Sequence, residues 1–400
     1  MPLHSLMFGW EYPPLHLGGL GVACQGLVQG LLSNGVKITL VLPHPHDGDT
    51  NHEVISPTEE HIENIRVQSM ISPYENNEAY VKRIAKVSKE MAEIYGNDLP
   101  QAVAHFASMS VDMTAHVNPD VVHCHDWMTY GAGIQAAAHH RKPLVAHIHA
   151  TELDRTHFSP NKWIYDQELN GFNAADRIIA VSGYTKNILV EHYGISPDKI
   201  SVVHNGNSDM YDPQAVHLNS EFRKKNPIIL FLGRLALQKG ANQFLDMAAK
   251  VHAHRPDVHF VIAGDGDMKD ELINRACDMG LRDYTAFTGK VNSNLAKKLY
   301  AAASCFVMPS LSEPFGLVAL EAIAQGTPVI LSKQSGASEV VGHAFKVDFW
   351  DTDMMADCAL TILREEPLAE QLRSEAPHVL HRLTWQNQAG YVYDIYKNLT

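Results

Sequence analysis

The chain has 400 residues, 45% of them apolar, and a formal net charge of −13. Its length and apolar content predict two or three domains, and its negative charge disfavours nucleic acid or an anionic membrane as the main partner. No run reaches the roughly 20 apolar residues of a membrane span. The five scattered cysteines are typical of reduced thiols, so we expect a cytoplasmic protein without a transmembrane segment. The sequence does not indicate an oligomeric state.

Short apolar runs alternate with helical patterns along the first half of the chain. Such runs, flanked by turn residues, are typical of buried parallel strands, and the alternation predicts βαβ repetition. The predicted strands are 5–8, 38–42, 121–122, 144–145, 178–181 and 200–203, and the helices are 22–33, 130–139, 163–174 and 185–193. Within residues 44–118 the prolines predict an irregular insertion, followed by a long helical pattern at 78–95.

A polar, proline-containing stretch from Asn205 to Pro227 predicts a linker before a second βαβ series. The second series has predicted strands at 228–232, 259–262, 285–287, 305–308 and 329–331, and helices at 241–252, 268–279, 294–302 and 317–325. We therefore predict an α/β protein with two Rossmann-like, doubly wound domains, 1–207 and 208–384. Open α/β sheets bind ligands beyond the carboxyl ends of their strands, so a cleft between the domains is the expected site.

Two loops between a strand and a helix suggest an anion site. Gly18 and Gly19 open the loop after the first strand, where glycines allow backbone N–H groups to approach an anion, although a plain tight turn explains them equally well. Arg234 and Lys239 lie in the first loop of the second domain. A planar guanidinium and a compact ammonium together suit the two phosphates of a diphosphate.

Two His-X-His pairs lie on neighbouring predicted strands, His123 with His125 and His147 with His149. Period-2 alternation places each pair on one face of its strand, which is also a known way to hold zinc. No further cluster of Cys, Asp or Glu occurs at ligand spacing in this domain. We therefore favour buried structural histidines and no metal, with His149 and Asp126 at strand ends pointing into the cleft. A metal-dependent hydrolase remains the alternative.

The segment 150–155 combines two carboxylates, a hydroxyl and an arginine directly after a strand. An ion-paired loop, with Asp154 bound to Arg155, is one interpretation. A sugar-binding loop that includes Glu152 is the other, because hydroxyl-rich ligands need many donors and acceptors.

The segment 308–332 predicts a strand, a loop, a short buried helix and a second strand. Backbone N–H groups at Gly316, Leu317 and Val318 open the helix and are suited to a diphosphate. Glu321 lies inside the helix, where a carboxylate requires a specific partner. A ribose at Glu321 and a sugar at Glu313 provide such partners, and a structural ion pair for both acids is the alternative.

These residues carry a resemblance to a known family. The segment 312–321 resembles the Glu-X7-Glu motif of family 4 glycosyltransferases, which have the GT-B fold. Other motifs occur in the family's order: Trp10-Glu-Tyr-Pro-Pro, His125-Asp-Trp, His149-Ala-Thr-Glu, Val203-His-Asn-Gly, Gly233-Arg and Gly264-Asp-Gly. The resemblance covers nearly the whole chain. Within the family, the chain is similar to glycogen-synthase-like members.

The resemblance implies a retaining transfer of a hexosyl group from a nucleotide diphosphate sugar, of UDP- or ADP-glucose type, to a hydroxyl acceptor such as a glycan, a glucan or a small glycoside, without metal or cofactor. It implies that Arg234 and Lys239 hold the diphosphate, with Gly19 nearby. It further implies that Glu321 binds the ribose and Glu313 the donor sugar.

The same resemblance implies that His149 lies beside the reacting sugar, with Asp126, Glu152 and Asn205 on the sugar or acceptor side. It also implies that the last helix, 385–400, crosses back to the first domain. One motif departs from the family. Bacterial glycogen synthases carry Lys-Thr-Gly-Gly-Leu in the first loop, whereas this chain has His-Leu-Gly-Gly-Leu at 16–20. This difference disfavours glucan synthesis from ADP-glucose and leaves the base, sugar and acceptor open.

Overall fold

A computed structural model describes residues 2–13, 19–43, 50–56, 99–209, 211 and 221–400. Gly18, the helical pattern at 78–95 and the central part of the predicted linker lie outside these ranges. The described residues form two compact units. The first unit comprises Met1–Gly206 with Trp385–Thr400, and the second comprises Asn207–Thr384.

The described strands of the first unit form one parallel sheet in the order β3-β2-β1-β4-β5-β6-β7. The strands are β1 (His4–Phe8), β2 (Lys37–Val41), β3 (Glu53–Ile55), β4 (Val121–His125), β5 (Leu144–Ile148), β6 (Arg177–Ala180) and β7 (Ile200–Val202). Every residue of β1, β4 and β5 is buried, as expected for strands covered on both faces. Short β3 was not predicted, because only three residues pair and the first, Glu53, is exposed.

Helices of the first unit connect these parallel strands. They are α1 (Gly19–Ser33), α2 (Leu99–Thr114), α3 (Trp127–His140), α4 (Glu152–Thr156), α5 (Lys162–Ala174) and α6 (Gly183–Tyr193). Helix α2 follows the proline-containing insertion and the predicted helical pattern at 78–95, and no element was predicted from the sequence for residues 99–114. This segment is stabilised as a helix because one of its faces, including Val103 and Phe106, packs into the core of the unit.

The described strands of the second unit form a parallel sheet in the order β10-β9-β8-β11-β12-β13. They are β8 (Ile228–Leu232), β9 (His259–Ala263), β10 (Thr285–Gly289), β11 (Cys305–Met308), β12 (Val329–Ser332) and β13 (Phe345–Val347). The helices are α7 (Ala241–His254), α8 (Lys269–Asp278), α9 (Ser293–Ala302), α10 (Leu317–Ala324), α11 (Ala337–Val340), α12 (Thr352–Arg364), α13 (Glu366–Ser374) and α14 (Ala376–Arg382). The predicted elements of this half are confirmed to within two residues.

Both sheets reverse their strand order at one place. β1 lies beside β4 in the first unit, and β8 lies beside β11 in the second. The loops that leave two such strands diverge to opposite sides, which opens a crevice at their carboxyl ends. These two places position the candidate sites.

Helix α15 (Trp385–Leu399) packs on the first unit, although all of the second unit precedes it in sequence. Trp385 lies so close to Gly206 that a Cβ atom there would be 2.6 Å from the Trp385 backbone. Val392 and Tyr396 are fully buried, whereas Tyr391 is exposed. The helix therefore completes the core of the first unit. Among the described residues, no helix combines the length and apolar character needed to cross a bilayer.

Gly240 provides a test of how tightly the loops of the second unit pack. It has φ 74°, and a Cβ atom there would overlap the carbonyl oxygen of Pro309 in the loop after β11. We expect Gly240→Ala to lower the free energy of unfolding by about 3 kcal/mol, because backbone strain and overpacking add. Urea unfolding measures this change.

Gly280→Ala is the matched control. Gly280 has φ 73° in the same unit, but the space around its Cβ position is open. We expect it to cost about 1 kcal/mol, from backbone strain alone. Equal losses in the two variants would contradict the close approach of the two loops.

Candidate active site

The loop after β8 is held by the loop after β9. The backbone N–H of Leu235 donates to the carbonyl oxygen of Asp265 at 2.9 Å. Gly264 has φ 138°, and any side chain there would overlap the carbonyl oxygen of Gly233. The Gly-Asp-Gly motif thus allows the two backbones to approach, and it fixes the loop that carries Arg234. The Arg234 guanidinium is one third exposed and lies 3.7 Å from the Asp267 carboxylate.

Lys239 and Glu313 meet in the second unit. The Lys239 ammonium donates to Glu313 Oε2 at 2.7 Å, and Ser310 Oγ donates to the same oxygen at 3.2 Å. A hydrogen bond between the two loops helps to fix this pair, because the side-chain Nε2 of Gln238 donates to the carbonyl oxygen of Ser312 at 2.9 Å. Glu313 is buried, while Lys239 keeps about a quarter of its side chain exposed. The geometry joins the loops after β8 and β11, where the strand order reverses.

The N-terminus of α10 lies in the loop after β11. Gly316 precedes it with φ 104°, and no described side chain caps its first amides. Leu317 and Val318, the first two residues of the helix, are half-buried. Uncapped amides and the positive end of the helix dipole are suited to an anion. Together with Lys239, the helix provides a positively polarised edge.

Glu321 lies one turn further into α10. Tyr300 Oη donates to Glu321 Oε2 at 3.1 Å. Burial raises the pKa of the Glu321 carboxyl above its ordinary value, and the negative charge of Asp209 adds to this effect. Lys297 lies in the same cluster, but its ammonium is bound to Asp209 at 2.7 Å. Glu321 therefore has no cation bound directly to it among the described residues.

In the first unit, Asp126 ends β4 in a conformation that is rare for a residue with a side chain. Its φ is 60°, and it precedes α3 without capping it. Instead, Asp126 Oδ1 accepts the backbone N–H of His149 at 2.6 Å. Its other oxygen, Oδ2, is buried and has no partner among the described residues. Burial raises the pKa of Asp126 to about 7. Such strain and perturbed acidity are typical of functional sites.

His149 is held at two points by consecutive residues. Asp126 binds its backbone N–H, and His125 Nδ1 lies 2.9 Å from its ring nitrogen Nε2. Burial lowers the pKa of His149 to about 3, so its imidazole is neutral near pH 7. The structure thus brings His149 and Asp126 together at the ends of neighbouring strands, as the sequence predicted.

The four histidines form a buried array on one face of β4 and β5. His123 binds Tyr396 of α15 through Nδ1 and contacts His147 at 3.2 Å through Nε2. His123 and His125 stack at 4.6 Å with 22° between their planes. Ligand nitrogens of His123, His125 and His147 lie within 4.8 Å of one another. A tetrahedral zinc ion draws its nitrogens to roughly 3.4 Å, and stacked rings do not aim at one point, so the array favours structural histidines.

Glu152 lies in an ion network, which agrees with the ion-paired interpretation of the segment 150–155, although the partners differ from the expected pair. Its carboxylate accepts Arg155 Nε at 3.2 Å and the backbone N–H of Asn161 at 3.0 Å, and its side chain is 2% exposed. Arg155 also binds Glu168 at 2.7 Å. Both oxygens of Glu152 are therefore engaged within the protein, which argues against the predicted sugar contact.

The predicted partner of Arg155 was also wrong. Asp154 forms a capping box with Thr151 at the start of α4, and Arg155 binds Glu152 and Glu168 instead. Glu168 comes from α5, so the short sequence motif did not contain this partner.

Asn205 and Gly19 follow other strands of the same sheet. Asn205 is buried just beyond β7, and β6 lies between β7 and β5. Gly19 is the first residue of α1 and is exposed, as an anion contact requires.

Sequence reasoning missed three residues near these groups. Glu11, buried beyond β1, lies close enough for its charge to raise the pKa of Asp126 further. Tyr300 binds Glu321, and Tyr396 binds His123. Glu11 belongs to the motif Trp10-Glu-Tyr-Pro-Pro, for which no role was predicted from the sequence. The two tyrosines carried no sequence signal, because their partners are distant along the chain.

Comparisons with known proteins agree with this fold. The family "Glycosyltransferase Family 4" matches residues 17–207, and "Glycosyl transferases group 1" matches residues 215–379. An uncharacterized glycosyltransferase of Methanocaldococcus jannaschii is 30% identical over 98% of this chain and 97% of its own length. Glycogen synthase of Mycobacterium tuberculosis is 28% identical over 98% of this chain and 94% of its own length.

Among solved structures, the Anabaena protein HepE in complex with UDP and glucose superposes with a TM-score of 0.70. At 19% identity, over 99% of this chain and 100% of that one, this likeness shows a shared fold. The family matches, a relative of 30% identity along the chain and two Rossmann-like units give one conclusion. The chain belongs to family 4 of the glycosyltransferases and has the GT-B fold.

Proposed function

We propose that this glycosyltransferase moves a hexosyl group from a nucleoside diphosphate sugar to a hydroxyl acceptor, with retention of the anomeric configuration and without a metal ion. The observation that carries the proposal is the Lys239–Glu313 pair beside the uncapped N-terminus of α10. We also propose a cytoplasmic location, which agrees with the free cysteines of the described chain.

The second unit has the groups that a donor requires. Lys239, Arg234 and the amides of Leu317 and Val318 offer positive charge and N–H donors to a diphosphate. The developing charge of the leaving phosphate increases in the transition state, so these donors favour departure of the nucleoside diphosphate. The Anabaena neighbour was solved with UDP and glucose, which supports the same class of ligand.

Glu313 and Lys239 share one proposed task. With Lys239 bound to a phosphate, Glu313 Oε2 loses its strongest donor and becomes available to sugar hydroxyls. Glu313 is already fixed, because its backbone N–H donates to the carbonyl oxygen of Gln334 at 2.9 Å. A carboxylate held in this way accepts hydroxyl protons without reorganisation.

The first unit contributes His149 and Asp126 in this proposal. The imidazole of His149 is neutral, so it does not serve as a proton donor of imidazolium type at neutral pH. It supports the positively charged sugar of the transition state through its ring or its backbone carbonyl. Asp126 fixes the His149 backbone, and its buried Oδ2 can accept a hydroxyl group from the sugar or acceptor.

Retention follows from a same-face reaction. The bond between the anomeric carbon and the phosphate oxygen breaks, the acceptor oxygen bonds to the same face, and the leaving phosphate takes the acceptor proton. This scheme needs no enzyme nucleophile. It agrees with the engaged state of Glu152, which is held by Arg155 and the Asn161 N–H.

A panel of donors tests the proposal. We expect one of UDP-, ADP- or GDP-glucose, or the corresponding mannose or galactose donors, to raise the melting temperature, because a ligand bound to the folded state stabilises it. Transfer with that donor to oligosaccharide, simple glycoside or inositol phosphate acceptors is then followed by NMR. The names of glycogen synthase and D-inositol 3-phosphate glycosyltransferase relatives suggest this range of acceptors. Retention predicts a product with the donor's anomeric configuration, and an inverted product contradicts it.

Treatment with a chelator is the control for the metal-dependent hydrolase. We expect EDTA to leave transfer unchanged. Stoichiometric zinc in the purified protein, with activity lost on chelation, would support the hydrolase instead. The stacked geometry of the four histidines argues against this outcome.

A further inference from the structure

Tyr300 has a role that follows from its contact with Glu321. We propose that Tyr300 is a positioning residue, which orients the Glu321 carboxylate so that it discriminates a ribose from a deoxyribose in the donor. The inference rests on the proposed function, because it assigns a task to the donor site of the second unit.

The side chain of Tyr300 is rigidly placed. It is fully buried, and its ring packs edge-on against Phe306 of β11, with centroids 5.4 Å apart. Its backbone carbonyl accepts Thr327 Oγ1 at 2.6 Å. These contacts fix the ring from the strand side and the backbone from the loop before β12, so the hydroxyl group points to one place.

That place is one oxygen of Glu321. Tyr300 Oη donates to Oε2 at 3.1 Å, and Oε1 has no protein partner among the described residues. A carboxylate has about four lone-pair sites, so a single donor on Oε2 leaves capacity for the two hydroxyl groups of a ribose. Because Glu321 is only half-buried, this capacity is accessible from outside the protein.

The partner of Glu321 within the protein is a neutral group, which affects how the carboxylate can bind a ligand. The nearby ammonium of Lys297 is bound to Asp209 at 2.7 Å, so a neutral phenol rather than a cation holds Glu321. A cation would compete with a ligand for the carboxylate, whereas a single neutral hydrogen bond fixes its direction and preserves its charge. Hydrogen bonds to an ionised acceptor are stronger than neutral ones, which favours ribose hydroxyls as donors.

The test compares the binding of UDP and ADP with that of their 2′,3′-dideoxy analogues by calorimetry. We expect the wild-type protein to bind the preferred nucleoside diphosphate at least about 10-fold more tightly than the dideoxy form. In Tyr300→Phe, which keeps the ring and its packing, we expect this ratio to fall to about 2-fold. Tyr284→Phe is the matched control, since Tyr284 lies in the same unit and packs on His252, so the ratio should remain unchanged.

A second variant guards against a loss of folding. Glu321→Gln lowers the ratio by itself, and adding Tyr300→Phe to it should have no further effect, because the two residues act as one unit. A wild-type ratio in Tyr300→Phe overturns the inference and leaves the proposed function intact. A wild-type protein that binds dideoxy and ribose forms equally overturns the role of Glu321 and that of Tyr300. Failure of UDP and ADP to bind, together with failure of the GDP-sugars in the donor panel, overturns both this inference and the donor class on which it rests.

Discussion

Lys239→Ala is expected to reduce transfer by about 1,000-fold while leaving the fold intact, and Glu313→Ala is expected to do the same. The reason is that Lys239 supplies the charge beside the uncapped α10, and Glu313 the acceptor for the transferred sugar. The alanine variants remain folded because the backbone contacts of both loops do not involve either side chain. Initial rates with the donor identified in the panel, together with circular dichroism, measure both effects.

Lys250→Ala is the matched control for this experiment. The Lys250 ammonium binds Asp353 at 2.7 Å in the same unit, and its side chain is exposed to a similar degree, but it lies on α7 away from the candidate site. We expect wild-type rates from this variant. Transfer by Lys239→Ala or Glu313→Ala at the wild-type rate would refute the assignment of the donor site.

Mild acid is expected to destabilise the protein, because the four buried histidines are neutral in the folded state. Burial lowers the pKa of His123 and His149 to about 3 and that of His125 and His147 well below 6.5. Below about pH 6.5 the unfolded chain binds protons that the folded chain does not, so stability falls with pH. Asp126 and Glu168 act in the opposite direction, because burial raises their pKa to about 7 and about 8, respectively.

The four histidines outweigh the two carboxyl groups, so we expect the free energy of unfolding to decrease by about 1 kcal/mol between roughly pH 7.5 and 5.5, measured by urea titration at each pH. His147→Gln removes one of these groups and should reduce the change by about 1 kcal/mol. Substitution of the exposed His343 by Gln should leave it unchanged. A stability that is independent of pH in this range would contradict neutral burial of the array.

The sequence predicted the two-unit fold because each strand is a short apolar run with turn residues on both sides. β8 and β11 match their predicted bounds residue for residue. β3 and β13 were missed because each has only three residues, with exposed Glu53 at the start of one and exposed Lys346 in the centre of the other. A strand is predicted from its run of buried apolar residues. Short edge strands lack such a run, so the sequence pattern does not predict them.

The site residues themselves were predicted from the sequence, whereas their partners were not. Arg234, Lys239 and Glu313 were predicted from their places after a strand, and the structure places them in the loops after β8 and β11, with Glu321 inside the helix α10 that follows. Their partners were not predictable, since Tyr300 and Glu321 are 21 residues apart and Lys239 and Glu313 are 74 apart. Contacts between residues so far apart leave no pattern in the local sequence. They are determined by the fold, which brings the two side chains together.

The packing of α15 on the first unit affects the order in which the units fold during synthesis. Residues 207–384 form a continuous unit, so the ribosome synthesises all of it before it reaches Trp385 and Tyr396. The first unit lacks Val392 and Tyr396 in its core until then, which leaves His123 without its tyrosine partner. The first unit therefore lacks its last helix until synthesis ends, so a truncation after residue 384 exposes its incomplete core to aggregation.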